Sequence, residues 1–145
     1  MPDIQVPALT ALFRAHGEPQ WLPAEAVLFA EGDGADCVWL VDSGRLLETI
    51  EGEDGRRTPR GFAGAGGIVG EAAVLGATGR DSRASALRDS RLLRLPAPRF
   101  LDLVRADPAA FAEFARLLLP ALRPAATARA PRVARSVGLS SPHPG

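Results

Sequence analysis

Residues 66–80 read Gly-Gly-Ile-Val-Gly-Glu-Ala-Ala-Val-Leu-Gly-Ala-Thr-Gly-Arg. The glycines predict a turn, after which a short apolar helix begins at Glu71, and Arg80 follows nine residues later. A helix start offers free backbone amides and a partial positive charge. An arginine brought to the same place adds a two-pronged phosphate donor, and the Glu71 carboxylate can accept hydrogen bonds from sugar hydroxyls. The stretch therefore predicts a pocket for a small phosphorylated sugar.

Short apolar or alternating runs lie on both sides of this stretch, separated by turns rich in Gly and Asp such as Asp42-Ser43-Gly44. Runs of this length and spacing are typical of strands in an all-β fold. The predicted strands cover residues 26–30, 37–41, 45–50, 58–62, 83–87 and 91–95. The pattern predicts a mainly β protein with flanking helices, in the form of an antiparallel β-barrel or jelly roll.

Helical periodicity occurs at both ends of this β-rich region. Apolar residues at helical spacing predict an N-terminal helix around residues 6–13 that Gly17 ends. Residues 99–105 and 108–119 predict two further helices, and Asp107 is a suitable N-cap for the second. The folded domain is therefore expected to cover residues 1–119.

The chain changes character from Pro120 onward. Residues 120–145 contain five prolines and four arginines but no acidic residue. Prolines at this density are incompatible with a long continuous helix, so we expect a disordered Pro/Arg-rich tail.

The composition limits which partners the chain can bind and in which cellular compartment it is expected. The 145 residues carry 17 basic and 17 acidic side chains, so no net charge draws the chain toward nucleic acid or an anionic membrane. Cys37 is the single cysteine, which excludes an internal disulfide and suits a reducing compartment. Neither a membrane-spanning apolar run nor a signal peptide is recognised, so we expect a cytoplasmic protein. No His, Cys, Asp or Glu spacing indicates a metal site.

The order of predicted elements resembles the cyclic-nucleotide-binding domain family, of the type found in catabolite activator protein and the regulatory subunit of protein kinase A. Residues 24–33 look like its first hairpin, residues 38–46 like its next strand and turn, and residues 89–95 like the strand that leaves the phosphate-binding cassette. The resemblance covers roughly residues 6–119 and places the cassette at about residues 66–83.

The resemblance implies roles for individual residues. Gly70 and Glu71 match the family's Gly-Glu pair, whose glutamate holds the ribose 2′-hydroxyl, and Arg80 matches the arginine on the cyclic phosphate. The rest of the ligand-contact set is Ala72, Asp81 and Ser82, and the family's turn glycines correspond to Gly32 and Gly44.

Two positions leave alternatives open. Arg83 competes with Arg80 for the phosphate, but counting back from Asp89-Ser90-Arg91 favours Arg80 and makes Arg83 a solvated strand residue. Asp81 stands where the family often has Ser, Thr or Ala. Its carboxylate would repel a bound phosphate unless it points away or pairs with one of these two arginines.

The resemblance implies a regulatory module rather than an enzyme, with cAMP as ligand, cGMP less favoured, and no other cofactor. Its C-terminal helices, through Phe100, Phe111 and Phe114, would respond to the filled pocket and act on a separate effector or on a second copy.

One alternative is a degenerate domain of the same fold that serves as an interaction or dimerisation module. A second is an enzyme whose catalytic domain is missing from this chain. A helix-turn-helix transcription factor does not fit the proline-broken tail, so neither sequence-specific nucleic-acid binding nor membrane association is expected.

Overall fold

The computed structural model describes residues 5–75 and 79–122. Two compact units are present, Met1–Phe114 and Ala115–Gly145, and the described part of the second is the last stretch of a helix. The elements in chain order are α1 (Pro7–His16), β1 (Glu18–Leu22), β2 (Val27–Phe29), β3 (Cys37–Glu51), β4 (Arg57–Gly64), β5 (Ile68–Val69), a 3₁₀ turn (Ala72–Leu75), β6 (Arg83–Pro96), α2 (Ala97–Arg105) and α3 (Pro108–Leu122).

The strands form one antiparallel sheet of six members. The hydrogen-bonded order is β1-β6-β3-β4, with β2 also paired to β6 and β5 to β3. This confirms the predicted mainly β fold of jelly-roll type with flanking helices, although the sheet does not close into a barrel. The long strands β3 and β6 run side by side and carry most of the pairing, so they form the framework of the roll.

The sequence predicts a break between residues 41 and 45 and another between residues 87 and 91. Both predictions are wrong, because β3 and β6 each continue through these positions as one strand. Gly44 lies inside β3 with a φ of 103°, at a shift in the register between β3 and β6. A Cβ atom there would lie 2.2 Å from the Ser90 hydroxyl oxygen of β6, so only glycine allows this approach. Gly44 is therefore a bulge glycine within a strand. The sequence predicts a turn at this position because glycine is favoured in turns and in bulges alike.

The apolar faces of the strands meet inside the roll. Alternate strand residues point to the same face of a sheet, and the inward residues here are nearly all apolar. Buried members of this core are Leu22, Phe29, Trp39, Val41, Leu46, Val69, Ala84, Ala86 and Leu92. Burial of a large apolar side chain contributes about 1.5–3 kcal/mol, so this cluster is the main source of stability in the roll.

A second buried group joins the helices of the first unit. The rings of Phe13 and Phe100 lie 5.8 Å apart, and those of Phe100 and Phe114 meet edge to face at 5.2 Å. Leu9 and Val104 are buried as well. The faces of α1, α2 and the start of α3 are thus tied together by aromatic packing.

The two ends of the helical group are capped differently. Asp107 caps α3, since its carboxylate accepts hydrogen bonds from the amides of Ala109 and Ala110 at 3.1 and 3.2 Å; this confirms the predicted cap. At the start of α1 the preceding residue provides no side-chain cap. Instead the buried Glu113 carboxylate accepts the amide protons of Ala8 and Leu9 at 2.9 and 2.8 Å.

Two predicted helix limits need correction. The helix expected to begin at Glu71 is only the 3₁₀ turn Ala72–Leu75, preceded by the turn that contains Glu71. The helix expected to end at residue 119 continues through Pro120 to Leu122, because a proline removes one backbone hydrogen bond without necessarily ending a helix. The remainder of the predicted tail, residues 123–145, lies outside the described residues. In the described ranges, every helix is too short or too polar to span a lipid bilayer.

Candidate functional site

Arg80 is buried in the apolar interior of the roll. Only 4% of its surface is exposed, and its guanidinium carbon lies 4.5 Å from the ring centre of Phe29 and 5.4 Å from that of Trp39. Loss of hydration lowers the pKa of this guanidinium, and neighbouring negative charges counteract the effect. The aromatic faces thus stabilise a cation at a depth where charged side chains are rare.

The hydrogen bonds of Arg80 tie three segments together. Its Nη1 donates to the Gly70 carbonyl at 2.7 Å, and its Nη2 donates to the Cys37 carbonyl at 2.6 Å. Its own backbone amide donates to Asp33, and its carbonyl accepts from Gly32, both at 2.8 Å. Among the residues that the structure describes, none accepts a hydrogen bond from the buried Nε. Arg80 therefore braces the cassette against the start of β3, and its Nε–H is a buried donor that an anionic oxygen would satisfy.

Gly70 is required by the position of Arg80. Its φ is 86°, and a Cβ atom would lie 2.8 Å from Nη1 of Arg80 and 3.2 Å from the Trp39 ring. Any other residue would push the guanidinium out of place. Gly32 also has a left-handed φ of 88° but has open space around it, so its role is the turn itself, as predicted.

Glu71 follows Gly70 directly, and its carboxyl group is largely shielded from solvent. The pKa of Glu71 is raised to about 7, mainly by burial and to a smaller degree by the negative charge of Glu48, while a backbone hydrogen bond and the positive charges of Arg80 and Arg60 act in the opposite direction. The carboxyl group is thus divided between its protonated and ionised forms near neutral pH. Ala72, the next residue, begins the 3₁₀ turn.

Asp81 and Ser82 point in different directions. Asp81 forms an ion pair with Arg60 at 3.2 Å, and 75% of its side chain is exposed. Of the alternatives left open by the sequence, the carboxylate therefore points away from Arg80, and its partner is an arginine that was not considered. Ser82 is buried, and its hydroxyl donates to Oε2 of Glu48 at 3.0 Å.

Glu48 was missed by the sequence analysis. A signal was present, because position 48 lies two residues after the apolar Leu46 and therefore on the same face of a regular strand. A carboxylate at such a position is expected to face a core, and this one faces the interior that contains Arg80.

Arg83 lies on the opposite face of the sheet. It stands across from Thr49 of β3, whose hydroxyl accepts a hydrogen bond from Nε of Arg57 at 2.9 Å. Arg57 also binds the Glu31 carboxylate. Arg83 is half-buried beside this group, and its buried Nε has no partner among the described residues. Its place in a strand is confirmed, but the prediction of a solvated side chain is wrong.

The profile of the cyclic nucleotide-binding domain matches residues 19–107, which include all but the first residue of β1, the strands β2 to β6, the cassette and α2. The chain belongs to the cyclic nucleotide-binding domain family. In this family the chain is similar to a lysophospholipase of Aspergillus oryzae, with 32% identity over 106 residues, or 72% of this chain and 7% of the relative. The curated relatives first matched are thus far longer than this chain, which spans only about 7% of their length.

Solved structures with a similar fold include that of an activator protein and that of an enzyme. The catabolite activator protein of Thermus thermophilus is 27% identical, with a TM-score of 0.74 over 84% of this chain and 57% of that protein. An EAL enzyme in its cAMP-bound form is 27% identical, with a TM-score of 0.60 over 72% of this chain and 28% of that one. These similarities support a regulatory cyclic nucleotide-binding domain, in which the buried Arg80 lies in the cassette.

The three phenylalanines through which the C-terminal helices are expected to respond to the filled pocket differ in their exposure. Phe100 and Phe114 are buried in the helical group with Phe13, whereas Phe111 is 55% exposed. Of the three, Phe111 alone has a largely exposed ring.

Proposed function

We propose that this chain is a regulatory module that binds a cyclic nucleotide inside the roll, cAMP in preference to cGMP. The observation that carries the proposal is the buried Arg80 guanidinium with an unused Nε donor, held beside Gly70 and Glu71. The cyclic phosphate would bind Arg80 and the backbone amides that follow Gly70, including that of Ala72. The ribose 2′-hydroxyl would bind Glu71, and Ser82 would contribute at the buried end of the cassette.

The contacts around Arg80 suggest how binding would reach the helices. Nη2 of Arg80 holds the Cys37 carbonyl, and the neighbouring Asp36 carbonyl accepts the amide proton of Ala97, the first residue of α2, at 2.7 Å. A phosphate that draws Arg80 toward itself competes for the Cys37 contact. The start of β3 would then shift and alter the anchor of α2, which biases a two-state arrangement of the helices.

The partner of this module would be a separate or attached effector, and the chain itself would carry out no catalysis. Relatives that contain a similar domain are named as lysophospholipases, which favours a lipid hydrolase as the effector. We place the protein in the cytoplasm and expect no sequence-specific DNA binding.

Calorimetry of the full chain with cAMP and cGMP tests the proposal. When the free nucleotide concentration is 100 times the dissociation constant, binding should stabilise the fold by roughly 2.7 kcal/mol. We expect cAMP to bind more tightly than cGMP. Glu71→Gln is the second arm, since it should weaken binding without disturbing Arg80. The absence of heat and of any melting shift at millimolar concentrations of both nucleotides would exclude the binding function.

A second candidate function is a ligand-free interaction domain. It is favoured by the two short hydrogen bonds that occupy Nη1 and Nη2 of Arg80, because a protein carbonyl at each terminal nitrogen already satisfies part of the phosphate-binding fork. The same titration decides between the two functions.

A further inference from the structure

Glu48 is a carboxylate on the inner face of the roll. It lies opposite Ala84 of β6 and Gly61 of β4, and residues paired in this way share one face of the sheet. Ala84 is fully buried in the core, as is Leu46 two residues before Glu48. The Glu48 side chain therefore points into the interior, where an acidic group requires a partner.

The surroundings of Glu48 use only part of its capacity to accept hydrogen bonds. Oε2 accepts one hydrogen bond from the buried Ser82 hydroxyl, and within the described ranges no cation lies at ion-pair distance from either oxygen. An ionised carboxylate has about four acceptor positions, so most of them stay available. The negative charge of Glu48 acts to raise the pKa of both Glu71 and Arg80, so all three groups lie around the same space.

The chemistry of a cyclic nucleotide leaves one role for this acceptor. The phosphate is an anion and would be repelled by Glu48. The ribose hydroxyl is assigned to Glu71 under the proposed function, on which this inference rests. The remaining part with hydrogen-bond donors is the base, because adenine and guanine both carry an exocyclic amino group.

We propose that Glu48 reads the base of the bound cyclic nucleotide by accepting a hydrogen bond from its exocyclic amino group. Ser82 positions the carboxylate by holding Oε2, which leaves Oε1 for the base. The pocket then selects bases with an amino group over bases that lack one, and this preference is separate from the phosphate and ribose contacts that all cyclic nucleotides share.

The first experiment changes the ligand and leaves the protein intact. Calorimetry compares cAMP with the 3′,5′-cyclic monophosphate of purine riboside, which lacks the amino group. Because a hydrogen bond to a charged acceptor is lost, the analogue should bind roughly 10- to 100-fold more weakly. Equal affinities for the two nucleotides would overturn the proposal.

The second experiment removes the acceptor. Glu48→Ala should reduce the preference for cAMP over the analogue to within about threefold, and Glu48→Gln should give an intermediate preference because an amide oxygen is a weaker acceptor. Glu51→Gln is the matched control, since Glu51 is an exposed carboxylate on the same strand that pairs with Arg57. It should keep the wild-type preference, and a full preference retained in Glu48→Ala would contradict the role of Glu48.

The two proposals fail in different ways. If wild-type protein binds neither nucleotide at millimolar concentration, the proposed function fails and the base-reading role fails with it. If cAMP binds but its preference over the analogue does not depend on residue 48, the proposed function stands and only the role of Glu48 is rejected. The ligand comparison needs no variant, so it remains decisive even where a substitution unfolds the chain.

Discussion

Arg80 and Arg83 are three residues apart, yet they belong to two polar clusters on opposite faces of one sheet. In the outer cluster Arg57 binds the carboxylates of Glu31 and Glu51, whereas Arg83 beside it forms no ion pair with a described residue and, like Arg80, has a buried Nε without a partner among those residues. In the inner cluster the described residues form no ion pair, since Arg80 donates to backbone carbonyls and a hydroxyl binds Glu48.

The difference supports the proposal that the inner cluster is the one that binds a ligand. A protein that buries charges usually pairs them, as Arg57 of the outer cluster is paired. The inner cluster has a cation with an unused donor, together with the carboxyl groups of Glu48 and Glu71. A cyclic nucleotide would satisfy all of them, because it combines an anionic phosphate with hydroxyl and amino donors.

The largest expected effect comes from Arg80→Ala with Arg83→Ala as its matched control. Loss of Arg80 removes two charged hydrogen bonds and leaves two carbonyls unpaired, so the free energy of unfolding should fall by roughly 2–4 kcal/mol without ligand. Binding of cAMP should weaken by roughly 2–5 kcal/mol. Arg83→Ala should change both quantities by less than about 1 kcal/mol. Urea unfolding and calorimetry measure them, and equal losses in the two variants would remove the distinction between the faces.

The next effect concerns the pH dependence of stability through Glu71. Its pKa in the folded state, about 7, lies above the ordinary value of 4.5, so the folded state holds the proton more tightly between these values. Stability should therefore fall as pH rises from about 4.5 through 7, by up to about 3 kcal/mol for this carboxyl group.

Glu71→Gln should remove this loss and make the unligated protein more stable than wild type at pH 8. Urea unfolding at pH 5, 6, 7 and 8 tests it, with Glu53→Gln in an exposed turn as the control that keeps the wild-type profile. If Glu71→Gln lost stability with rising pH just as wild type does, the Glu71 carboxyl group would not be the source of the pH dependence.

A smaller effect is expected on the outer face from Arg57→Ala. Arg57 donates to the hydroxyl and the carbonyl of Thr49 at 2.9 and 3.3 Å, and each such bond contributes about 1 kcal/mol. The loss of stability should shrink in high salt, because the ion pairs of Arg57 are then screened in wild type as well. Affinity for cAMP should not change, and a tenfold loss of affinity would mean that the two faces are coupled.

The smallest effect is expected from Asp81→Ser. Because Asp81 is exposed and pairs with Arg60 at 3.2 Å, its removal should change cAMP binding and stability by less than about 0.5 kcal/mol. A clear gain in cAMP affinity, measured by calorimetry, would indicate that the carboxylate turns toward the phosphate when ligand binds.

Local signals in the sequence predicted local structure well. The Asp107 cap, the Gly32 turn and the strand pattern are confirmed because each depends on neighbouring residues. The contacts of Arg80 with Phe29, Trp39 and the Cys37 carbonyl could not be predicted, since they join positions about 40 to 50 residues apart. Gly44 was misassigned because turns and bulges select glycine for the same conformational reason.

The Glu113 cap of α1 has a consequence for the order in which the protein folds. A ten-residue helix is marginal on its own, and the two amides at its start find their acceptor 104 and 105 positions along the chain. Closing so long a loop must precede this contact, so α1 becomes fully formed only after the beginning of α3 has docked. Exchange of the Ala8 and Leu9 amide hydrogens therefore reports, from one end of the chain, whether its distant partner helix is in place.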